Sequence, residues 1–137
     1  MEPGASARYL YERDATVPLL GIELLVADGD GATVAMMVRP DMCNGFGMIH
    51  GGLTFLLADS AMAFASNGED DRALATSAGI DFFAPALAGQ VLTATARRCG
   101  GGKRSVVWDV EVTSDDGTVV ARFRGRTRKL GTPIVTG

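Results

Sequence analysis

Asp59 stands in a run of apolar residues. It is the one charged side chain between Leu53 and Ala65, in the stretch Leu-Thr-Phe-Leu-Leu-Ala-Asp-Ser-Ala-Met-Ala-Phe-Ala. A carboxylate withdrawn from water is costly unless something satisfies it, and a segment that needed only packing would carry Ala or Leu there. Its chemical roles are nucleophile or general base; the structural role is a satisfied core aspartate bonded to backbone. Just upstream runs Asn44-Gly45-Phe46-Gly47-Met48-Ile49-His50-Gly51-Gly52. Its glycines, Gly52 among them, bring backbone close to a ligand. The segment ends at a helix start, where free N–H groups and the positive end of the dipole stabilise a developing oxyanion. Gly51 is the candidate donor, because with no side chain it lets a carbonyl approach.

His50 is the sole histidine. It joins the catalytic candidates because imidazole titrates near working pH, but at a helix start beside glycines its more frequent task is to brace the loop. Metal chemistry is not expected, since no other His and no Cys pair has ligand spacing. A Cys43–His50 nucleophile pair has no third, orienting group in the loop. Gly45-x-Gly47-x-x-His50 lacks the last glycine of the dinucleotide fingerprint and its βαβ setting. Gly102-Lys103-Arg104 fails the phosphate-loop spacing and reads as part of a hairpin turn.

These residues need elements to hold them. Gly51 to Asn67 is rich in Leu, Ala, Met and Phe with few β-branched residues, which predicts a helix. It is apolar nearly all round, which predicts burial, and Asn67-Gly68 ends it. Before it, Ser6 to Asp14 reads as a short helix that Pro18 ends or follows, and Leu19 to Ala27 and Ala32 to Arg39 read as strands around the turn Asp28–Gly31. Pro40 to His50 reads as loop. After it come Leu74 to Phe83 and three alternating strands, Gln90 to Cys99, Arg104 to Thr113 and Thr118 to Lys129, with turns at Gly100–Gly102 and Ser114–Gly117. The tight turns predict an antiparallel meander. Strands about ten residues long twist and curl, so the simplest packing is an α+β fold whose sheet wraps the apolar helix.

That layout constrains the chemistry. Asp59 lies eight residues beyond Gly51, which is about 12 Å along a helix axis. One carbonyl cannot meet both groups in one chain. The expectation is a site shared between subunits, Gly51 from one and Asp59 from its partner.

With 137 residues the chain suits one domain, 1–137. Its net charge of −3 argues against a general attraction to nucleic acid. Two cysteines are too few for a secreted scaffold, the N-terminus has no basic region followed by an apolar run, and the longest apolar stretch is too short for a bilayer. A cytoplasmic protein is expected. Arg122, Arg124, Arg126 and Arg128 share one strand face. Such a stripe is commonly just solvated, yet it also suits phosphates.

The segment Asn44–Asn67 resembles the hotdog-fold thioesterases of the phenylacetate-degradation (PaaI) type. The likeness continues through Ala78-Gly79-Ile80-Asp81-Phe82-Phe83-Ala84-Pro85, Ala88–Ala94 and Phe123-Arg124-Gly125-Arg126. The resemblance implies a curved antiparallel sheet of about six strands around a central helix, homodimers with shared sites, and dimers paired into tetramers. It implies hydrolysis of aryl thioesters such as phenylacetyl- or hydroxyphenylacetyl-CoA, with coenzyme A as part of the substrate and no separate cofactor. In that resemblance Asn44, Gly51 and Asp59 form the catalytic core, Asn44 orienting water or the carbonyl, and Ser60 supports water or the carboxylate. Phe46 and Met48 border the acyl pocket, and here they are more apolar than their usual counterparts. For the coenzyme, Thr76, Ser77 and Ala78 offer backbone to the pantetheine amides and Arg126, with its stripe, offers charge to the phosphates. Three rival readings remain: a thioesterase of a different acyl class, a non-enzymatic acyl-CoA-binding protein on the same fold, and a hydratase or dehydratase, whose only histidine base is His50.

Overall fold

The computed structural model describes residues 1–135, so the end of the expected 1–137 domain lies outside the described residues. The central element is α3, Gly51–Ser66. Its inner side buries Leu57, Ala58, Ala61, Met62, Phe64 and Ala65 in the core. Small and unbranched side chains let a sheet curl closely around it. Asn67 closes α3 and ties it to the next strand. Its amide donates to the Ala63 and Ala73 carbonyls (2.8 and 3.1 Å), and its Oδ1 accepts from the Ala73 N–H at 2.8 Å.

Six strands form one antiparallel sheet: β1 (Glu23–Ala27), β2 (Gly31–Met37), β3 (Ala73–Phe82), β4 (Val91–Gly101), β5 (Ser105–Ser114) and β6 (Val119–Lys129). Their spatial order is β1-β2-β4-β5-β6-β3. The alternation predicted for the last three strands holds except at the start of β6, where an irregularity in the pairing with β5 buries Val120 beside Ala121 and leaves Val119, expected inside, half-buried. Leu92, Ala94 and Ala96 of β4, Val106, Trp108, Val110 and Val112 of β5, and Ala121, Phe123 and Thr127 of β6 are buried.

The meander covers β4, β5 and β6, but β3 is not part of its sequential order. It pairs with β6 at the far edge, Ile80 opposite Phe123 and Asp81 opposite Arg122. The reason is the connection. Residues 83–90 contain Pro85, and the tight turn Leu87–Gln90 seats its Gly89 N–H on Val38 O just past β2 instead of folding the chain back along β3, while the Phe83 and Ala84 N–H groups donate to Val120 O, which anchors the end of β3 beside β6.

Three local expectations are corrected. Leu19 and Leu20 are helical, in α2 (Thr16–Leu20), which follows α1 (Ala5–Arg13). Pro18 therefore lies inside a first helical turn, where its missing N–H costs nothing. Asp14 starts that turn by accepting from the Thr16 N–H and hydroxyl, and Gly21 at φ 70° ends it. The glycine run is not wholly turn: β4 continues to Gly101 past a bulge between Arg98 and Gly100. At φ 107°, Gly101 sits where an added Cβ would collide with the Ser105 carbonyl oxygen. Within the expected loop Pro40–His50, Pro40–Met42 forms a 3₁₀ turn.

The helix is also less covered than its composition predicts. Gly52, Leu56, Asp59 and Ala63, spaced for one helix face, are half-buried or exposed. The neighbouring edge strand β3 is exposed along nearly its whole length.

Candidate active site

The loop before α3 is held by Asn44. Its Oδ1 accepts the N–H groups of Phe46 (2.9 Å) and Met48 (3.3 Å), and its own N–H donates to Met48 O at 2.7 Å. Gly47, at φ 78°, makes the reversal. The loop then docks on the 83–90 connection, where the Ile49 N–H donates to Ala86 O at 2.8 Å. Phe46 stands at the tip, 86% exposed.

His50 caps the helix. Its N–H is fixed on Met42 O at 2.9 Å, and its carbonyl accepts from Leu53 (2.9 Å) and Thr54 (3.4 Å). Its Nδ1 accepts from the Gly52 N–H at 3.0 Å. An accepting Nδ1 assigns the ring proton to Nε2. Of the four amides that a helix start leaves open, that of His50 goes to Met42 O, those of Gly52 and Leu53 are claimed by His50, and Gly51 alone has no partner among the described residues. The same geometry makes His50 a bracing residue.

The Gly51 amide lies at a cavity of about 340 Å³ whose walls include Met48, Thr54, Phe82, Pro85 and Val120. A Cβ on Gly51 would stand 3.0 Å from Phe82 Cζ, so glycine keeps the amide accessible beside the ring. Phe82, Phe83, Val120 and Thr54 were not among the site residues expected from sequence. The adjacent phenylalanines ahead of Ala-Pro, at the end of a strand, were the available signal. A larger hollow of about 870 Å³ lies over the outer face of the sheet, among Arg97, Asp109, Glu111, Arg122 and Arg124. It touches neither Gly51 nor Asp59, and its charges largely neutralise one another.

Asp59 sits two turns along an unbroken α3, on the uncovered stripe and outside the Gly51 cavity. Its carboxylate accepts no hydrogen bond among the described residues, so the backbone donors that a satisfied core aspartate would display are missing. Burial without a compensating donor pushes its pKa up from the ordinary carboxylate range. The Ser60 hydroxyl is turned to its own helix, donating to Leu56 O at 2.8 Å.

On β3, Thr76 falls at a bulge and its hydroxyl donates to Arg126 O at 3.2 Å, while Ser77 and Ala78 lie exposed beside Arg126 and Gly125. The arginine stripe divides. Arg124 makes a two-pronged pair with Asp109 (2.7 and 2.9 Å), which lowers the Asp109 pKa, and Arg122 pairs with Glu111 at 3.1 Å. Arg126 and Arg128 have no acidic partner among the described residues.

An unclaimed helix-start amide and a desolvated acid eight residues on are what residues 46–121 carry when they match the family described as the thioesterase superfamily. The chain belongs to the thioesterase superfamily. It is 40% identical over 129 residues to the acyl-coenzyme A thioesterase PaaI of Escherichia coli strain K12, covering 94% of this chain and 92% of that protein. The solved structure of the E. coli PaaI protein from the phenylacetic acid degradation operon superposes with a TM-score of 0.91 at 38% identity, covering 96% of this chain and 98% of the other. A mutant phenylacetic acid degradation protein PaaI from Thermus thermophilus superposes at 0.81 and 38% identity, covering 85% and 100%. The fold is the hotdog fold that the resemblance implied. In thioesterase chemistry an oxyanion donor polarises the thioester carbonyl while a carboxylate attacks it or activates water. In this chain Gly51 and Asp59 lie on one helix, about 12 Å apart along its axis.

Proposed function

We propose that this thioesterase hydrolyses aryl acyl-CoA thioesters, of the phenylacetyl or hydroxyphenylacetyl kind, to the free acid and coenzyme A, in the cytoplasm. The observation that carries the reading is the Gly51 N–H, the one amide of the α3 start left open, at the mouth of a cavity with aromatic and aliphatic walls. The amide takes the carbonyl oxygen as negative charge develops there. Asp59 of a partner subunit supplies the attacking carboxylate or activates the attacking water, and Asn44 holds the loop in register around the reacting group.

Two features support a dimer with shared sites. β3 is a long edge strand with Leu74, Phe82 and Phe83 exposed, a surface that isolated proteins avoid. Beside it runs the uncovered helix stripe that includes Asp59. A second copy pairing through β3 covers both and brings a foreign Asp59 toward Gly51, and two such dimers form the tetramer. For the coenzyme, Ser77, Ala78 and the bulged Thr76 offer backbone to the pantetheine amides, and Arg126, with no acid of its own, takes a phosphate. PaaI of E. coli, named an acyl-coenzyme A thioesterase, supports the CoA assignment. The free thiols of Cys43 and Cys99 suit a reducing compartment.

The test is thiol release across a panel of aromatic and aliphatic acyl-CoAs. Arylacetyl-CoAs should give the highest kcat/KM. Tight acyl-CoA binding with no thiol release would make the protein a binding module, and a preference for long aliphatic chains would overturn the aryl assignment.

A further inference from the structure

Thr54 is 1% exposed and lines the Gly51 cavity. It follows Gly51 by three residues, on the same helix face and about 4.5 Å farther along the axis. Its backbone N–H is bonded to His50 O, but its hydroxyl has no hydrogen-bond partner among the described residues. Other hydroxyls of α3 behave differently: Ser60 donates to Leu56 O at 2.8 Å and Ser66 to Ala63 O at 3.1 Å, the back-bond typical of such residues in helices. Among the described residues no side-chain polar atom sealed from solvent lacks a partner. The unbonded Thr54 hydroxyl is therefore not sealed, and the cavity that Thr54 lines is the space it opens on.

A hydroxyl in such a wall is a liability unless something bonds it. The other walls of the cavity include Met48, Ile49, Phe82, Phe83, Pro85 and Val120, and valine would fill the volume of Thr54 without the desolvation cost. We propose that Thr54 is a specificity-determining residue: its hydroxyl hydrogen-bonds a hydroxyl carried on an otherwise apolar aryl acyl group, while Gly51 holds the thioester carbonyl. The inference rests on the reading of this cavity as the acyl pocket of a thioesterase. The division of labour follows from position. Gly51 lies at the helix start, where the carbonyl docks, and Thr54 lies one turn deeper, abreast of the acyl body. Phe82, Phe83 and Pro85 supply flat apolar walls for a ring.

The test compares phenylacetyl-CoA with the three monohydroxyphenylacetyl-CoA isomers by thiol release, using the wild type, Thr54→Val and Thr54→Ser. The wild type should favour at least one hydroxylated isomer. Thr54→Val, nearly the same shape, should lower the kcat/KM ratio of that isomer to phenylacetyl-CoA about tenfold. Thr54→Ser should restore the preference, which a purely structural threonine would not require. An unchanged substrate ratio in Thr54→Val, or equal losses on all substrates, overturns the assignment while leaving the thioesterase reading intact. No thiol release by the wild type from any acyl-CoA overturns the thioesterase reading and this one with it.

Discussion

The proposed chemistry turns on Asp59, whose environment is unusual for a carboxylate. It is half-buried, lacks a hydrogen-bond donor among the described residues, and has a raised pKa because burial disfavours the charged form. Asp59→Asn should lower kcat by about 10²–10⁴-fold, the range for a positioned acid–base group, with acyl-CoA binding by calorimetry largely intact. Near-normal turnover would remove Asp59 from the mechanism. The pH dependence has a definite sign. Both proposed roles need the ionised carboxylate, so the acid limb of kcat/KM should lie above the ordinary aspartate value of about 3.9. For stability the same shift acts in the opposite sense. The folded chain holds the proton more tightly than the unfolded one, so the contribution is present below the unfolded pKa and is lost as pH rises through the folded pKa. The melting temperature of Asp59→Asn should therefore gain on that of the wild type as pH climbs through this window. A parallel course for the two proteins would show that burial does not perturb Asp59.

At the scale of the element, the start of α3 is arranged so that one amide stays open. His50 claims three N–H groups with Nδ1 and its carbonyl and leaves that of Gly51 free. The cap and the oxyanion donor are thus separable. His50→Ala loses the Nδ1 bond to Gly52 and should cost about 1 kcal/mol of stability, the usual size for a lost N-cap, read as a lower denaturation midpoint. Turnover should remain within about tenfold of the wild type, since the Gly51 amide does not depend on the ring. His50→Asn, which can also accept at the cap, should recover most of the midpoint. A loss of more than a thousandfold with an intact fold would instead give His50 a chemical role.

At the scale of the whole molecule, the proposed mechanism needs two chains, because one chain holds Gly51 and Asp59 apart. α3 runs unbroken from Gly51 to Ser66, so the separation of about 12 Å between Gly51 and Asp59 is rigid. The exposed β3 edge and the uncovered helix stripe are the surfaces assigned to a second copy in the proposed dimer. Refolding Asp59→Asn together with Gly51→Val should restore about a quarter of wild-type activity from two inactive parents, because half the dimers are hybrids and each hybrid has one intact site. Hybrids that form, by native mass spectrometry, yet stay inactive would sink the shared site.

Much of this was legible in residue order. Asp59 stood out because an acid in an apolar helix has no packing rationale, and Gly51 because glycine at a helix start leaves an amide uncovered. The alternating strands declared their buried faces, and the spacing of eight residues already forbade a one-chain site. Other features depended on residues far apart in the chain. Pro18 reads as a helix stop until Asp14 and Gly21 are seen to frame a second short helix around it. Nothing local in Leu74–Phe83 says that it pairs with β6, because strand partnership is set by the path of residues 83–90 and the anchor on Val120. The arginine stripe is uniform in sequence. Only register across β5 shows Arg122 and Arg124 neutralised by Glu111 and Asp109, with Arg126 and Arg128 left over. Thr54 is one more helical threonine until folding sets it in one cavity wall with Phe82, Pro85 and Val120. The dividing line is the range of the interactions: backbone preference, periodicity and desolvation act within a few residues and can be read along the chain, whereas pairing, neutralisation and enclosure require groups that only folding brings together.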